Sequence, residues 1–164
     1  MNPPPADRAG ECITRFRENL RTVVLSTVSS DGEPEASVAG AVLGDGGTLV
    51  VYVSGLAAHT RNLRANGGAS VLLVEDESAA AQPLARRRLT LTCTASPVAR
   101  DGPEFAALVA AFRARFGATI DLLATMPDFH LFRLAPHRGR LVVGFGQAFE
   151  LEPADWSVKA RVTG

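Results

Sequence analysis

Apolar and polar positions alternate with period two along much of this chain, a pattern that predicts strands with one buried face. VVLSTV (23–28), ASVAGAVL (36–43) and TLVVYVS (48–54) are three such runs. Between them lie SSDGEPE (29–35), which carries an Asp-Gly hairpin signal, and the turn GDGG (44–47). The three runs therefore read as an antiparallel meander. ASVLLVED (69–76) predicts a fourth strand. RLTLTCTASPV (88–98) alternates cleanly, with Leu89, Leu91 and Cys93 on one face and Thr90, Thr92 and Thr94 on the other. DFHLFRLAP (128–136) and GRLVVGFG (139–146) predict two more strands, with HRG between them.

Helical spacing occupies shorter stretches. Ile13, Phe16 and Leu20 share a face over 10–20. A helix over about 56–66 follows the third strand and closes at Asn66-Gly67-Gly68. Asp101-Gly-Pro-Glu opens a helix carrying Phe105, Leu108, Val109 and Phe112, and a short helix is expected over 119–125. ESAAAQPLARR (77–87) reads as a loop. Residues 1–9 read as a flexible N-terminal arm, 10–151 as the domain and 152–164 as a C-terminal tail. Strands without βαβ alternation predict a mainly β fold with short helices. A six- or seven-stranded antiparallel barrel is the natural closure, because it removes sheet edges.

Composition narrows the function. A chain of 164 residues suits one domain with a core, or half of an obligate dimer. Lys plus Arg equals Asp plus Glu, 17 each, which argues against a general nucleic-acid or acidic-membrane surface. Cys12 and Cys93 lack CxxC spacing, so free thiols and a cytoplasmic setting are expected, with no zinc site. MNPPPADRAGE lacks the apolar core of a signal peptide, and no stretch reaches membrane-spanning length. Arg86, Arg87 and Arg88 form the one compact basic cluster, which suits an anionic ligand or a solvated loop. Gly144-Phe145-Gly146 reads as a bulge and is not a dinucleotide fingerprint.

SGLAAHTRNL (54–63) places Ser54, His59, Thr60, Arg61 and Asn62 where a strand ends and a helix begins. Helix N-terminal amides attract anions, so Ser54, His59 and Thr60 stand where an anion could bind. The plainer readings are a solvated helix face, with Ser54 as a cap and Asn62 bonded to nearby backbone.

LSTVSSDGEPEASVAGAV, GGTLVVYVSGLAAHTRNLRANGGASVLLVED and RLTLTCTASPV, in that order, resemble the pyridoxamine 5′-phosphate oxidase-like, FMN-binding split-barrel proteins. The ending PDFHLFRLAPHRGRLVVGFGQAFEL is similar to the HugZ-type haem-utilisation branch of that family. The resemblance covers about residues 11–151. It implies a homodimer of split barrels with FMN at the subunit interface, and a flavoprotein oxidoreductase of unknown substrate. Carried over by position, the cofactor residues are Ser37, Val38, Ser54, His59, Thr60 and Arg88. Where the oxidases place Arg and Lys along the second strand this chain has Ser37 and Val42, and where they place Arg-Lys in the turn it has His59-Thr60. FMN is thus expected to bind more weakly than in the oxidases. The resemblance also leaves open haem at the same cleft, as in a haem-binding or haem-degrading protein, and a binding protein without cofactor. The HugZ-type proteins carry a ligand histidine near the C-terminus, whereas the last histidine here is His137. His130 and His137 would then need a new geometry to meet an iron. His130 otherwise reads as packed or half-exposed, and Cys93 as a buried thiol.

Overall fold

The computed structural model describes residues 5–163. Eight strands form one sheet: β1 (Thr22–Val28), β2 (Pro34–Leu43), β3 (Leu49–Ser54), β4 (Gly68–Val74), β5 (Arg88–Pro97), β6 (Phe129–Gly144), β7 (Gln147–Leu151) and β8 (Val158–Arg161). Their order is β3-β2-β1-β4-β5-β6-β7-β8, and a further β3–β6 pairing closes the first six into a barrel. Every pairing is antiparallel. The expected mainly β split barrel is present, with β7 and β8 as an extension beyond the closed six.

Alternation fills the barrel. Val23, Leu25, Ala39, Ala41, Val71, Leu89, Leu91 and Cys93 point inward and meet Leu134 and Leu141 of β6. β3 is buried on both faces, which accounts for its unbroken apolar run. Its outer side, Val50 and Tyr52, packs on Leu131 and on two helices, α3 (Phe105–Phe116) and α4 (Thr119–Thr125), through Phe112 and Ile120. The helix between β3 and β4, α2 (Ala58–Asn66), ends at Gly67, whose φ of 68° gives the left-handed turn that reverses the chain into β4.

Four sequence-based expectations need correction. The first helix, α1 (Pro5–Glu18), begins inside the expected arm, and its Ala9 is entirely buried; residues 1–4 lie outside the described residues. The 77–87 loop contains two short 3-10 turns, Glu77–Ala79 and Pro83–Ala85. The two strands expected around HRG are one 16-residue strand, β6. Arg138 pairs with Thr92 and Pro136 with Cys93, so His137 is the extra residue of a bulge that bends the strand without ending it. The segment after residue 151 is no loose tail. β8 pairs with β7, and Trp156 is wholly buried with its Nε1–H donating to the Gly47 carbonyl at 2.8 Å.

Cys12 and Cys93 are free and buried, and burial pushes their thiols up to about 11 and about 12. Among the described residues no helix is long and apolar enough to cross a membrane. No group of three or more His, Cys, Asp or Glu among them is placed to hold a metal ion.

Candidate functional site

The sequence-derived candidates separate into two places. Ser37, Ser54, His59 and Thr60 gather at one end of the barrel, where α2 packs over β1 and β2. His59 Nδ1 lies 2.9 Å from Ser37 Oγ, which is also 3.3 Å from the Leu25 carbonyl. With the Ser37 hydroxyl donating to that carbonyl, Nδ1 carries the imidazole proton and donates to Oγ, and Nε2 is left as an acceptor. Nε2 is buried and has no partner among the described residues. Burial lowers the His59 pKa, with the Glu35 carboxylate acting the other way, so the ring is neutral at pH 7.

Around this pair the polar residues bind one another. Thr60 is fully buried and donates its hydroxyl to the Ser54 carbonyl at 2.6 Å. Ser54 Oγ donates to Asp128 Oδ2 at 3.2 Å and accepts from the Leu56 amide, so it does not cap α2; the N-cap position is Ala57, without a side-chain bond. Asn62 does not bond local backbone. Its Nδ2 donates to Thr27 Oγ1 at 3.0 Å and to Glu35 Oε2 at 3.2 Å, lashing α2 to β1 and β2. The oddly polar start of α2 is thus largely an internal fastening. A dianionic phosphate here would meet a neutral His59, an engaged Thr60 hydroxyl and the nearby Asp128 carboxylate. Arg61 hydrogen-bonds the Leu56 carbonyl. His130 lies nearby on β6, paired with Val53, and a Cβ added to Gly55 would stand 3.2 Å from its Nε2. Its pKa is lowered by desolvation first, then by Arg64 and Arg100.

Arg88 and Val38 occupy the outer face of the sheet. Arg86 pairs with Glu77 and Arg87 with Glu75, whereas Arg88 has no carboxylate partner among the described residues. The basic cluster therefore reduces to one side chain available to a ligand. Register brings a second: Thr90, two residues along β5, lies opposite Arg140 of β6. Arg88 and Arg140 line a groove of about 490 Å³ whose walls are Leu84, Val142 and Phe145. Leu84 is 78% and Phe145 67% exposed. Gln147 also lines it, with a buried Oε1 that has no donor among the described residues. Gly144 and Gly146, at φ 159° and 65°, form the β6–β7 turn that presents Phe145. Val38, also 67% exposed, continues the same face along the paired row Val38, Val24, Leu72, Thr90, Arg140.

This groove can hold an anionic molecule with a large apolar body. Two guanidinium groups offer charge-assisted bonds, and the apolar walls exclude water. Arg140 and Gln147 were not legible as site residues, because the β5–β6 register that sets Arg140 beside Arg88 is nowhere encoded locally. His137 is exposed in its bulge and does not line the groove.

Residues 10–143 match the family described as pyridoxamine 5′-phosphate oxidase. The heme oxygenase HutZ of Vibrio cholerae is 41% identical over 143 residues, 87% of this chain and 81% of that protein. The crystal structure of HutZ, there called a heme storage protein, aligns at TM-score 0.77 and 40% identity over 84% of this chain and 95% of that one. Campylobacter jejuni ChuZ aligns at TM-score 0.80 and 29% identity over 92% of this chain, which spans only 62% of ChuZ. A heme binding protein from Mycobacterium smegmatis aligns at TM-score 0.76 and 30% identity, over 96% of this chain and 61% of that one.

Proposed function

The chain belongs to the pyridoxamine 5′-phosphate oxidase family, and from that premise we propose that it binds haem and acts in haem utilisation, by storage or by oxidative degradation. Haem takes the place of FMN, the first expectation from sequence. Two things support the exchange: HutZ, about 40% identical, is named for heme, and at the turn after β3 a phosphate would meet a neutral His59, an engaged Thr60 hydroxyl and the Asp128 carboxylate.

The observation that carries the reading is the outer-face groove. Haem is a flat apolar macrocycle with two carboxylates at one edge. Arg88 and Arg140 would hold the carboxylates, and Leu84, Val142 and Phe145 would flank the ring. The fit holds for the anionic edge and the apolar body. No histidine lines the groove, so an axial imidazole is not part of it. When bound, haem would supply an iron centre for redox and oxygen chemistry. The chain would bind it, orient it and shield it from water.

A second copy would cover the remaining side. The exposed valines Val28, Val38 and Val74 lie on the same outer face, an apolar surface suited to a homodimer with the cofactor at its interface. The test is a titration of the purified protein with hemin, read at the Soret band, alongside a titration of FMN fluorescence. A saturable Soret shift that weakens about tenfold or more in Arg88→Ala/Arg140→Ala supports the reading. Saturable FMN binding with no saturable hemin response overturns it.

A further inference from the structure

A second cavity, of about 360 Å³, lies away from the groove, between α1, the ends of β1 and β4, and the segment after β4. Its floor is apolar: Leu20 and Leu73 are core residues, and Phe16 packs against that core. The Cys12 thiol beside them stays protonated, because burial pushes it up to about 11. It therefore adds to the floor and offers no nucleophile.

The charges around this cavity do not balance. Of its two carboxylates, one is paired with a cation and the other, exposed, is hydrogen-bonded to a serine. Glu75 takes the Arg87 guanidinium at 2.7 Å and also accepts the Arg87 amide. Asp76 accepts from both the amide and the hydroxyl of Ser78, at 2.8 and 2.5 Å. The cations are three, Arg15, Arg21 and Arg87, and among the described residues only Arg87 forms a salt bridge. Arg21 bonds one backbone carbonyl, that of Arg115, at 3.1 Å. Arg15 has no side-chain hydrogen bond among the described residues, yet its charge is felt at both Glu75 and Cys12. Two guanidinium groups thus stand beside an apolar-floored cavity without a salt bridge among the described residues.

We propose that this cavity is a binding site for a small organic carboxylate, its charged end held by Arg15 and Arg21 and its apolar body laid on Phe16, Leu20 and Leu73. The guanidinium fork matches a carboxylate, and the floor rewards a ligand with an apolar body over a bare inorganic anion. Arg87 faces this cavity while its neighbour Arg88 faces the groove, so one segment of chain, 75–87, contributes walls to both. The proposal does not depend on what occupies the groove.

Phenylpropionate is the probe and phenylpropanol its uncharged control, read by backbone amide shifts in the full chain. Phenylpropionate should shift the amides of Phe16, Arg21, Glu75 and Arg87 saturably, and phenylpropanol should not. Arg15→Ala/Arg21→Ala should weaken binding about tenfold. Should the double variant lose its fold, Arg15→Ala alone serves, since the exposed Arg15 side chain has no partner to lose, and it should weaken binding several-fold. The proposal is overturned if the carboxylate and the alcohol bind alike, if the shifts map to other residues, or if nothing responds at concentrations on the order of 10 mM. Unchanged affinity in the arginine variants overturns it as well.

Discussion

Replacing Trp156 by alanine tests whether the C-terminal segment is part of the fold. The side chain is entirely buried, donates to the Gly47 carbonyl at 2.8 Å, and lies under the Arg17 guanidinium at 5.2 Å. An indole buries roughly 200 Å², worth about 5 kcal/mol at 25 cal/mol per Å². Trp→Ala changes in cores cost about 3–5 kcal/mol by a separate measure, so the two scales agree. Trp156→Phe keeps most of the apolar body and strands the Gly47 carbonyl, which should cost about 1–3 kcal/mol. Backbone strain does not confuse the comparison, because Trp156 sits at φ 64° and both replacements inherit that angle. The assay is urea unfolding followed by circular dichroism, since Trp156 is the sole tryptophan and fluorescence would lose its reporter. Protomer concentration is held fixed, because association would add to apparent stability. A loss under about 1 kcal/mol in Trp156→Ala, with an unchanged urea slope, would refute the reasoning and return residues 152–163 to the status of an appendage.

Four further outcomes rest on particular contacts. Asn62→Ala removes two hydrogen bonds from a side chain only 6% exposed and leaves Thr27 without its partner, so stability should fall by about 1–3 kcal/mol in the same assay. Burial lowers the His59 pKa below its ordinary 6.5, so as pH falls the unfolded chain takes up the proton first. That contribution to stability is complete above about pH 6.5 and declines as pH falls through and below it; urea midpoints should drop on acidification, with a shallower drop in His59→Gln. His130 shifts the same way and adds to the slope. Gly139→Val should destabilise by about 1–3 kcal/mol or more, because an added Cβ would stand 2.9 Å from Leu151 Cβ; a midpoint like the parent's would mean that β7 yields. Both thiols should react slowly with a disulfide reagent in the native protein and rapidly in denaturant; fast native labelling at Cys93 would mean the barrel opens readily.

The amino-acid sequence by itself determined the first five strands and the antiparallel barrel, because a period-two pattern is a property of local backbone and each of those strands carries its own. It also identified the glycine that ends α2 and the family, whose motifs are contiguous. Features that depend on partners distant in the chain were decided by the tertiary structure. Nothing near Thr60 announces that its hydroxyl turns in to Ser54, or near Asn62 that its amide reaches Thr27, 35 residues away. The run Arg86-Arg87-Arg88 looks uniform until Glu77 and Glu75 claim the first two. Arg140 joins Arg88 only through the β5–β6 register, and a shift of that register by one residue would send Arg140 to the other face of the sheet. Trp156 reads as a lone aromatic in a polar tail until Gly47, 109 residues earlier, supplies its acceptor. Side-chain alternation is set residue by residue, but register and closure are set by the sum of contacts across the barrel, and the outer-face groove was built by the second.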